Sequence, residues 1–160
     1  AEAGKLYAEL ARAYPDDTTI PIKLAELALW SEDYDAALAR YQELLDKNAD
    51  QPALWKGYVD AAASAKTLPE ACRTTTIHVH QNAGSAASGD AVFLTRLAWV
   101  LRRVKELDRS IAALEKALAL DPESRPIRLQ LAEALYERGE HARAEQHFQL
   151  LLRARPSASK

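Results

Sequence analysis

RLQLAEALYERGEHARAEQHFQLLLRARP, residues 128–156, is the stretch that decides the fold. Its small and apolar residues recur at helical spacing on each side of Gly139: Leu131, Ala132 and Leu135 before it, and Ala144, Phe148 and Leu151 after it. An apolar residue at every third or fourth position predicts an amphipathic helix with one buried face. The stretch therefore predicts two helices joined by a turn at Gly139.

The same pattern returns along the chain with a period of 34 residues. Small residues stand at Ala3, Ala37, Ala71, Ser110 and Ala144, and the one interval that departs from 34 is 39 residues long. A period of this length predicts stacked helix pairs. The small residue in each unit lets the two antiparallel helices approach closely.

This register divides the chain into repeats. We predict 1–17 as the second helix of an incomplete repeat, 18–51 as a repeat, 52–85 as a divergent repeat, 86–90 as an insertion, 91–124 and 125–156 as two further repeats, and 157–160 as a tail. Asp121-Pro122 predicts a helix end, because the residue before proline is disfavoured in a helix. Thr67 and Glu70 have the spacing of a helix-capping box. The loop 83–90 is either a hinge or a tolerated insertion.

Composition excludes several classes of function. The chain has 160 residues and a formal net charge of −2, unlike a general nucleic-acid binder, whose affinity comes largely from neutralising phosphates. No apolar run reaches the roughly 18 residues of a membrane span. A single cysteine excludes an internal disulfide framework.

The repeats resemble the tetratricopeptide repeat family. The similarity is strongest in residues 96–124 and 128–156, good in residues 24–48, and weak in the second unit, where Thr75 and His78 replace a bulky apolar residue and a small one. The resemblance implies an all-α fold, a right-handed α-solenoid of antiparallel helix pairs whose first helices line a concave groove. It also implies that residues 1–17 begin inside a repeat, so we expect a piece of a longer array that is monomeric in isolation.

We expect the exposed side chains of the first helices to bind a partner protein. These are Lys23, Glu26, Lys56, Asp60, Arg96, Trp99, Arg103, Glu133 and Tyr136. Arg96, Trp99 and Arg103 fall on one helix face, and an indole beside guanidinium groups suits a carboxylate-bearing or extended peptide. The alternative is that Trp99 packs on a neighbouring helix while Arg102 and Arg103 are solvated.

Two other tryptophans are predicted to have structural roles. Trp55 occupies the position that packs inside a repeat. We expect Trp30 to pack into the turn beneath the next repeat, and the alternative is an aromatic side chain in the groove. The relatives that hold the carboxyl terminus of cytosolic chaperones use an asparagine where this chain has Glu26, Asp60, Trp99 or Glu133. An acidic residue there would repel a carboxylate, which argues against a chaperone-tail clamp.

No motif in the sequence supports catalysis, a metal or a cofactor. Cys72, His78 and His80 lie close together in sequence, but residues two apart point to different sides of a helix and no fourth ligand is suitably spaced. We expect a buried or semi-buried thiol and two partly exposed histidines. Phosphate loops, nucleophile elbows and paired carboxylates are also missing.

The leading functional hypothesis is a non-catalytic scaffold for protein–protein interaction. The alanine-rich units resemble the periplasmic arrays of bacterial outer-membrane exopolysaccharide exporters, which recruit polymer-modifying enzymes. That resemblance implies a periplasmic location and a periplasmic enzyme or lipoprotein as partner. Three alternatives remain: an adaptor in the cytoplasm, a groove in which Trp99, Tyr136 and Trp30 stack on sugar rings, and a self-assembling array.

Overall fold

The computed structural model describes residues 2–86 and 90–153, and the regular elements within these ranges are nine α-helices with no strand. They are α1 (Glu2–Ala13), α2 (Thr19–Trp30), α3 (Tyr34–Lys47), α4 (Pro52–Ser64), α5 (Ala71–Ala86), α6 (Ala91–Arg103), α7 (Leu107–Leu120), α8 (Arg125–Arg138) and α9 (His141–Arg153). The predicted all-α class is confirmed. Most of the predicted insertion (87–89) and the tail 157–160 lie outside the described residues.

The chain forms two compact units. The first unit, Ala1–Ala86, contains α1 to α5, and the second unit, Ala87–Lys160, contains α6 to α9. Within the first unit α2 packs on α3, and α4 packs on both of them. Within the second unit α6 pairs with α7, α8 pairs with α9, and α7 also packs on α8. Each unit is therefore built from neighbouring helices along the chain.

Local signals in the sequence account for several helix ends. The Asp90 carboxylate accepts hydrogen bonds from the backbone N–H groups of Val92 and Phe93 and so caps α6. At the end of α8, Gly139 has φ 92°, a left-handed conformation that glycine adopts without steric cost. Helix α7 ends at Leu120, directly before Asp121-Pro122, as predicted.

Small residues bring paired helices together, as the repeat predicted. Ala25 and Ala37 of α2 and α3 are fully buried, and so is Ala144 of α9. In the second unit Ser110 of α7 is buried against α6, where its hydroxyl donates to the carbonyl oxygen of Ala98 at 2.7 Å. A larger side chain at these positions would push the helices apart.

Helix α5 departs from the predicted register by one residue. Ala71, expected at the close approach, is exposed, while Cys72, Thr76 and Val79 are buried. Six residues separate α4 from α5, whereas three separate α2 from α3. The longer loop starts α5 in a different orientation, and one residue of shift turns a helix by about 100°.

The same loop removes the predicted capping box. Helix α5 begins at Ala71, so Thr67 lies four residues before it, too far to be its N-cap. A buried polar contact ties α5 to α4 instead: the Tyr58 hydroxyl donates to the carbonyl oxygen of Cys72 at 3.0 Å and lies 2.9 Å from the Thr76 hydroxyl. Burial raises the pKa of Tyr58, which keeps this hydroxyl protonated.

The tryptophans divide into one confirmed and one wrong prediction. Trp55 is buried, and its indole N–H donates to the carbonyl oxygen of Ala49 at 2.9 Å. Trp30 was expected to pack beneath the next repeat, but 76% of its surface is exposed. Its repeat equivalents are Ser64, Arg103 and Glu137, which are polar residues at the solvent side of the first helices.

Candidate functional site

In the first unit the candidate residues form two ion pairs on the first helices. The Lys23 ammonium lies 2.7 Å from the Glu26 carboxylate on α2, and the Lys56 ammonium lies 3.0 Å from the Asp60 carboxylate on α4. We call these four residues the α2–α4 face. Because each cation has an acidic neighbour on its own helix, the face is balanced in charge.

Tyr41 of α3 is buried and packs against α4. Burial raises the pKa of Tyr41 to about 12, and the negative charges of Glu26 and Asp60 raise it further. Gly57 of α4 makes this arrangement possible, since a Cβ at that position would overlap the Tyr41 ring.

In the second unit the candidate residues lie on α6 and α8. We define the α6–α8 face as Arg96, Trp99, Arg102 and Arg103 of α6 with Leu129, Glu133, Tyr136 and Glu137 of α8. Helical spacing of three and four residues places each set on one side of its own helix. The two helices that carry the face are both first helices of predicted repeats.

Arg102 joins the two sides of the α6–α8 face. Its guanidinium lies 2.6 Å from the Glu137 carboxylate and 3.8 Å from the Glu133 carboxylate. The three side chains are partly exposed, so the pairs contribute roughly 0–1 kcal/mol each to stability. Their larger effect is local: the two glutamates of α8 share the single positive charge of Arg102, which offsets one of their two negative charges.

Aromatic side chains occupy the solvent side of this face. Trp99 is 47% exposed and Tyr136 is 61% exposed. The Tyr136 ring meets the His141 ring edge-on, with centroids 4.7 Å apart, which holds the phenol near the α8–α9 turn. Trp99 is thus covered over about half of its surface, and its packing on a neighbouring helix stays a prediction, whereas Arg102, expected to be solvated in that alternative, is paired with Glu137.

The nine predicted binding residues lie on four first helices, α2, α4, α6 and α8. Lys23, Glu26, Lys56 and Asp60 form the α2–α4 face, while Arg96, Trp99, Arg103, Glu133 and Tyr136 belong to the α6–α8 face. Whether either group binds a partner stays a prediction. Sequence reasoning missed the roles of Tyr41, Gly57 and Arg102, because no signal in the sequence indicates which distant side chains will meet.

The cysteine and histidines of α5 lie in different environments. Cys72 is buried, as predicted, and burial raises the pKa of its thiol. His78 is partly exposed, and its Nε2 lies 3.2 Å from the Asp50 carboxylate. Residues 2–86 and 90–153 contain no group of three or more potential metal ligands, and no helix in them is long and apolar enough to cross a membrane.

His147 lies on a surface helix, a position that predicts a solvated side chain, but the structure does not show one. Its side chain is partly buried, and burial lowers its pKa. The nearby cations Arg128 and Arg143 lower that pKa further. His147 therefore favours its neutral form and belongs to the packing of α9 more than to a binding surface.

An apolar cavity of about 550 Å³ lies between α8 and α9 and shares Leu129 with the α6–α8 face. Its lining includes Leu129, Phe148 and Leu151. In the preceding repeat, Leu114 and Ala117 correspond to Phe148 and Leu151, and they are buried in a helix pair on which α8 packs. The cavity therefore has the character of a helix-packing surface.

Comparison with known proteins gives a family and a fold. The tetratricopeptide repeat profile matches residues 1–59 and 101–159. No curated protein matches the chain significantly.

Several solved structures of MamA are similar to this chain. MamA (41-end) from Desulfovibrio magneticus RS-1 shares 19% identity over 98% of this chain and 87% of that one, with a TM-score of 0.71. MamA AMB-1 shares 17% identity over 98% and 83%, with a TM-score of 0.75. MamA MSR-1 shares 15% identity over 95% and 84%, with a TM-score of 0.74. At identities this low, the similarity shows that this chain and MamA share a fold, and it does not assign the function of MamA to this chain.

Proposed function

The chain belongs to the tetratricopeptide repeat family, and from this premise we propose that it is a non-catalytic scaffold that holds a partner protein on its first helices. The observation that carries the proposal is the α6–α8 face. Trp99 and Tyr136 expose large aromatic surfaces beside three arginines, and Trp, Tyr and Arg are the residues enriched in binding hot spots. The fold itself hosts many partners, so the face carries the functional argument.

We further propose that this partner is an enzyme or lipoprotein of the bacterial periplasm that acts in exopolysaccharide export. The support is the alanine-rich texture of residues 24–65, which resembles the periplasmic arrays of exopolysaccharide exporters. An adaptor protein in the cytoplasm would need the same repeat fold and the same exposed α6–α8 face. The experiment therefore has to compare the two compartments.

Site-specific photo-cross-linking tests the scaffold proposal. A photoreactive phenylalanine analogue replaces Tyr136 on the α6–α8 face or, as the matched control, Lys116 on the second helix α7, where the side chain is also exposed. We expect a discrete protein adduct from position 136 and none from position 116. Adducts of equal yield from both positions, or from position 116 alone, would contradict binding through the first helices.

The same two variants distinguish a periplasmic partner from a cytoplasmic one. They also distinguish protein binding from the main alternative, which is saccharide binding. Each is produced with and without a secretion signal in a bacterium that exports exopolysaccharide. An adduct with a polymer-modifying protein in the secreted form alone supports the periplasmic proposal, and an adduct in the unsecreted form alone supports a cytoplasmic adaptor. The exposed Trp99 and Tyr136 would also suit stacking on sugar rings. Binding of purified oligosaccharides without any protein adduct would favour that function.

A further inference from the structure

We propose that a cavity in the first unit binds the indole of a tryptophan side chain, which a peptide segment of a partner protein presents. The cavity has a volume of about 450 Å³ and lies between the α1–α2 turn, the start of α2 and the end of α3. It is separate from the α2–α4 face, since none of the four residues of that face lines it. One position, compared across the repeats, defines the site.

The fourth residue of a repeat contacts the turn that precedes its first helix. In the repeat 52–85 this residue is Trp55, which is 3% exposed and whose indole N–H donates to the carbonyl oxygen of Ala49 at 2.9 Å. In the repeat 125–156 it is Arg128, whose guanidinium donates to the carbonyl oxygen of Pro122. Donor and acceptor are 6 residues apart in both cases. The preceding turn therefore offers a carbonyl oxygen to this position.

The first complete repeat has a proline at the same position. Pro21 lies 34 residues before Trp55, and the two first helices keep this register, because α2 ends at Trp30 and α4 ends at Ser64. The proline side chain is smaller than an indole and has no hydrogen-bond donor. Pro15 lies six residues before Pro21, in the position of the carbonyl acceptor, and both prolines line the cavity. The cavity is therefore the place where this repeat lacks the side chain that Trp55 supplies in the next.

The walls of the cavity suit an indole with peptide atoms beside it. Ala11 of α1, Leu24 of α2 and Leu44 of α3 supply apolar surface for the ring. Arg40 and Glu43 of α3 line the same cavity and offer both charges to the polar groups of a peptide. Ligand pockets commonly measure roughly 300–1,000 Å³, so this volume can hold an indole together with neighbouring backbone. Tryptophan is also among the residues enriched in binding hot spots.

The turn that carries Pro15 is held by hydrogen bonds. The backbone N–H of Asp17 donates to the carbonyl oxygen of Tyr14 at 3.2 Å. The Asp17 carboxylate accepts from the backbone N–H of Thr19 at 2.9 Å and from its hydroxyl at 2.6 Å. A turn that is already ordered loses little conformational entropy when a ligand binds, which favours binding.

A fluorinated peptide tests the proposal. The probe is a short Gly-Ser peptide with one central 5-fluorotryptophan, so that it is the only source of fluorine in a titration with the full chain. We expect a saturable change in its ¹⁹F chemical shift. The same peptide with a methyl group on the indole nitrogen should bind about tenfold more weakly, because the ring would cover the Pro15 carbonyl oxygen without donating to it.

Pro21→Trp assigns the binding to the cavity. The chain then supplies its own indole, as it does at Trp55, and we expect the probe to lose its binding. Pro21 is the third residue of α2, where the backbone N–H that the substitution adds has no acceptor within the helix. Lys116→Trp on α7, where the side chain is exposed, is the matched control and should leave the affinity of the probe unchanged.

Two further measurements show whether the new indole fills the cavity. The tryptophan emission of Pro21→Trp should lie at shorter wavelength than that of Lys116→Trp, because its indole leaves water. Its urea midpoint should also rise, since more apolar surface is buried. Leu44→Trp fills the same cavity from α3 and should also remove binding, which keeps the test decisive if Pro21→Trp does not fold.

Four results would overturn the proposal. These are no saturable shift at chain concentrations up to about 1 mM, equal binding of the methylated probe, undiminished binding in both filled variants, and binding of free 5-fluoroindole as tightly as the peptide, which would indicate a site for a small aromatic molecule. Each of them would leave the scaffold proposal standing, because that proposal is carried by the α6–α8 face.

Discussion

Gly57 shows how one residue determines the close approach of two helices. It is the place on α4 where the Tyr41 ring of α3 lies directly against the helix backbone. A residue without a side chain therefore determines how closely the Tyr41 ring of α3 packs against α4.

Gly57→Ala is expected to destabilise the chain even though alanine favours a helix by about 1 kcal/mol over glycine. The new methyl group would overlap the buried Tyr41 ring, and overpacking of this kind costs about 1–3 kcal/mol. Denaturant unfolding followed by circular dichroism should show a lower midpoint. The matched variant is Tyr41→Leu with and without Gly57→Ala. If the glycine substitution destabilises both backgrounds equally, contact with the ring is not the cause.

At the level of elements, α5 is the helix that the repeat pattern describes least well. The 34-residue register places Ala71 opposite α4, as Ala37 is placed opposite α2. In the structure the buried side of α5 carries Cys72, Thr76 and Val79. The shift places the Thr76 hydroxyl in the interface with α4, where it lies within hydrogen-bond distance of the Tyr58 hydroxyl.

The shift makes two formally equivalent alanines respond differently to substitution. Ala37→Leu should destabilise the chain by about 1–3 kcal/mol, because Ala37 is fully buried at a helix crossing. Ala71→Leu should change stability by no more than about 0.5 kcal/mol, since Ala71 is exposed. Urea unfolding of both variants makes the comparison. Equal destabilisation would restore the register expected from the repeat.

For the whole molecule, contacts between neighbouring helices replace a single central core. Each unit packs through its own helix pairs, with Leu54 among the buried side chains of the first and Leu131 among those of the second. In an architecture of this kind stability is approximately a sum of local terms. The loss of one core side chain should therefore act mainly in its own unit.

Hydrogen exchange measured helix by helix tests this division. Leu131→Ala should cost about 2–5 kcal/mol locally, and exchange should accelerate in α6 to α9 more than in α2 to α4. Leu54→Ala is the reciprocal variant and should reverse the pattern. Uniform acceleration through both units in either variant would show that the molecule unfolds as one cooperative body.

Residues 91–153 show how much could be predicted. The 34-residue period, the small residue at each helix crossing and the Gly139 turn predict helices α6 to α9 from the sequence alone. The same periodicity grouped Arg96, Trp99 and Arg103 on one side of a helix, because spacing along a helix is a local property. The pairing of Arg102 with Glu133 and Glu137 had no such signal, since those contacts cross from one repeat to the next.

The sequence by itself determined the helical class, the pairing of neighbouring helices and the small residues at most of the helix crossings. All three follow from periodic patterns that act within a few turns of helix. Only the tertiary structure decided the rotation of α5, the exposure of Trp30, the close approach of Tyr41 to Gly57 and the partners of Arg102. These depend on loop length and on contacts between residues far apart in the chain, where helix packing selects among arrangements that the local pattern allows equally.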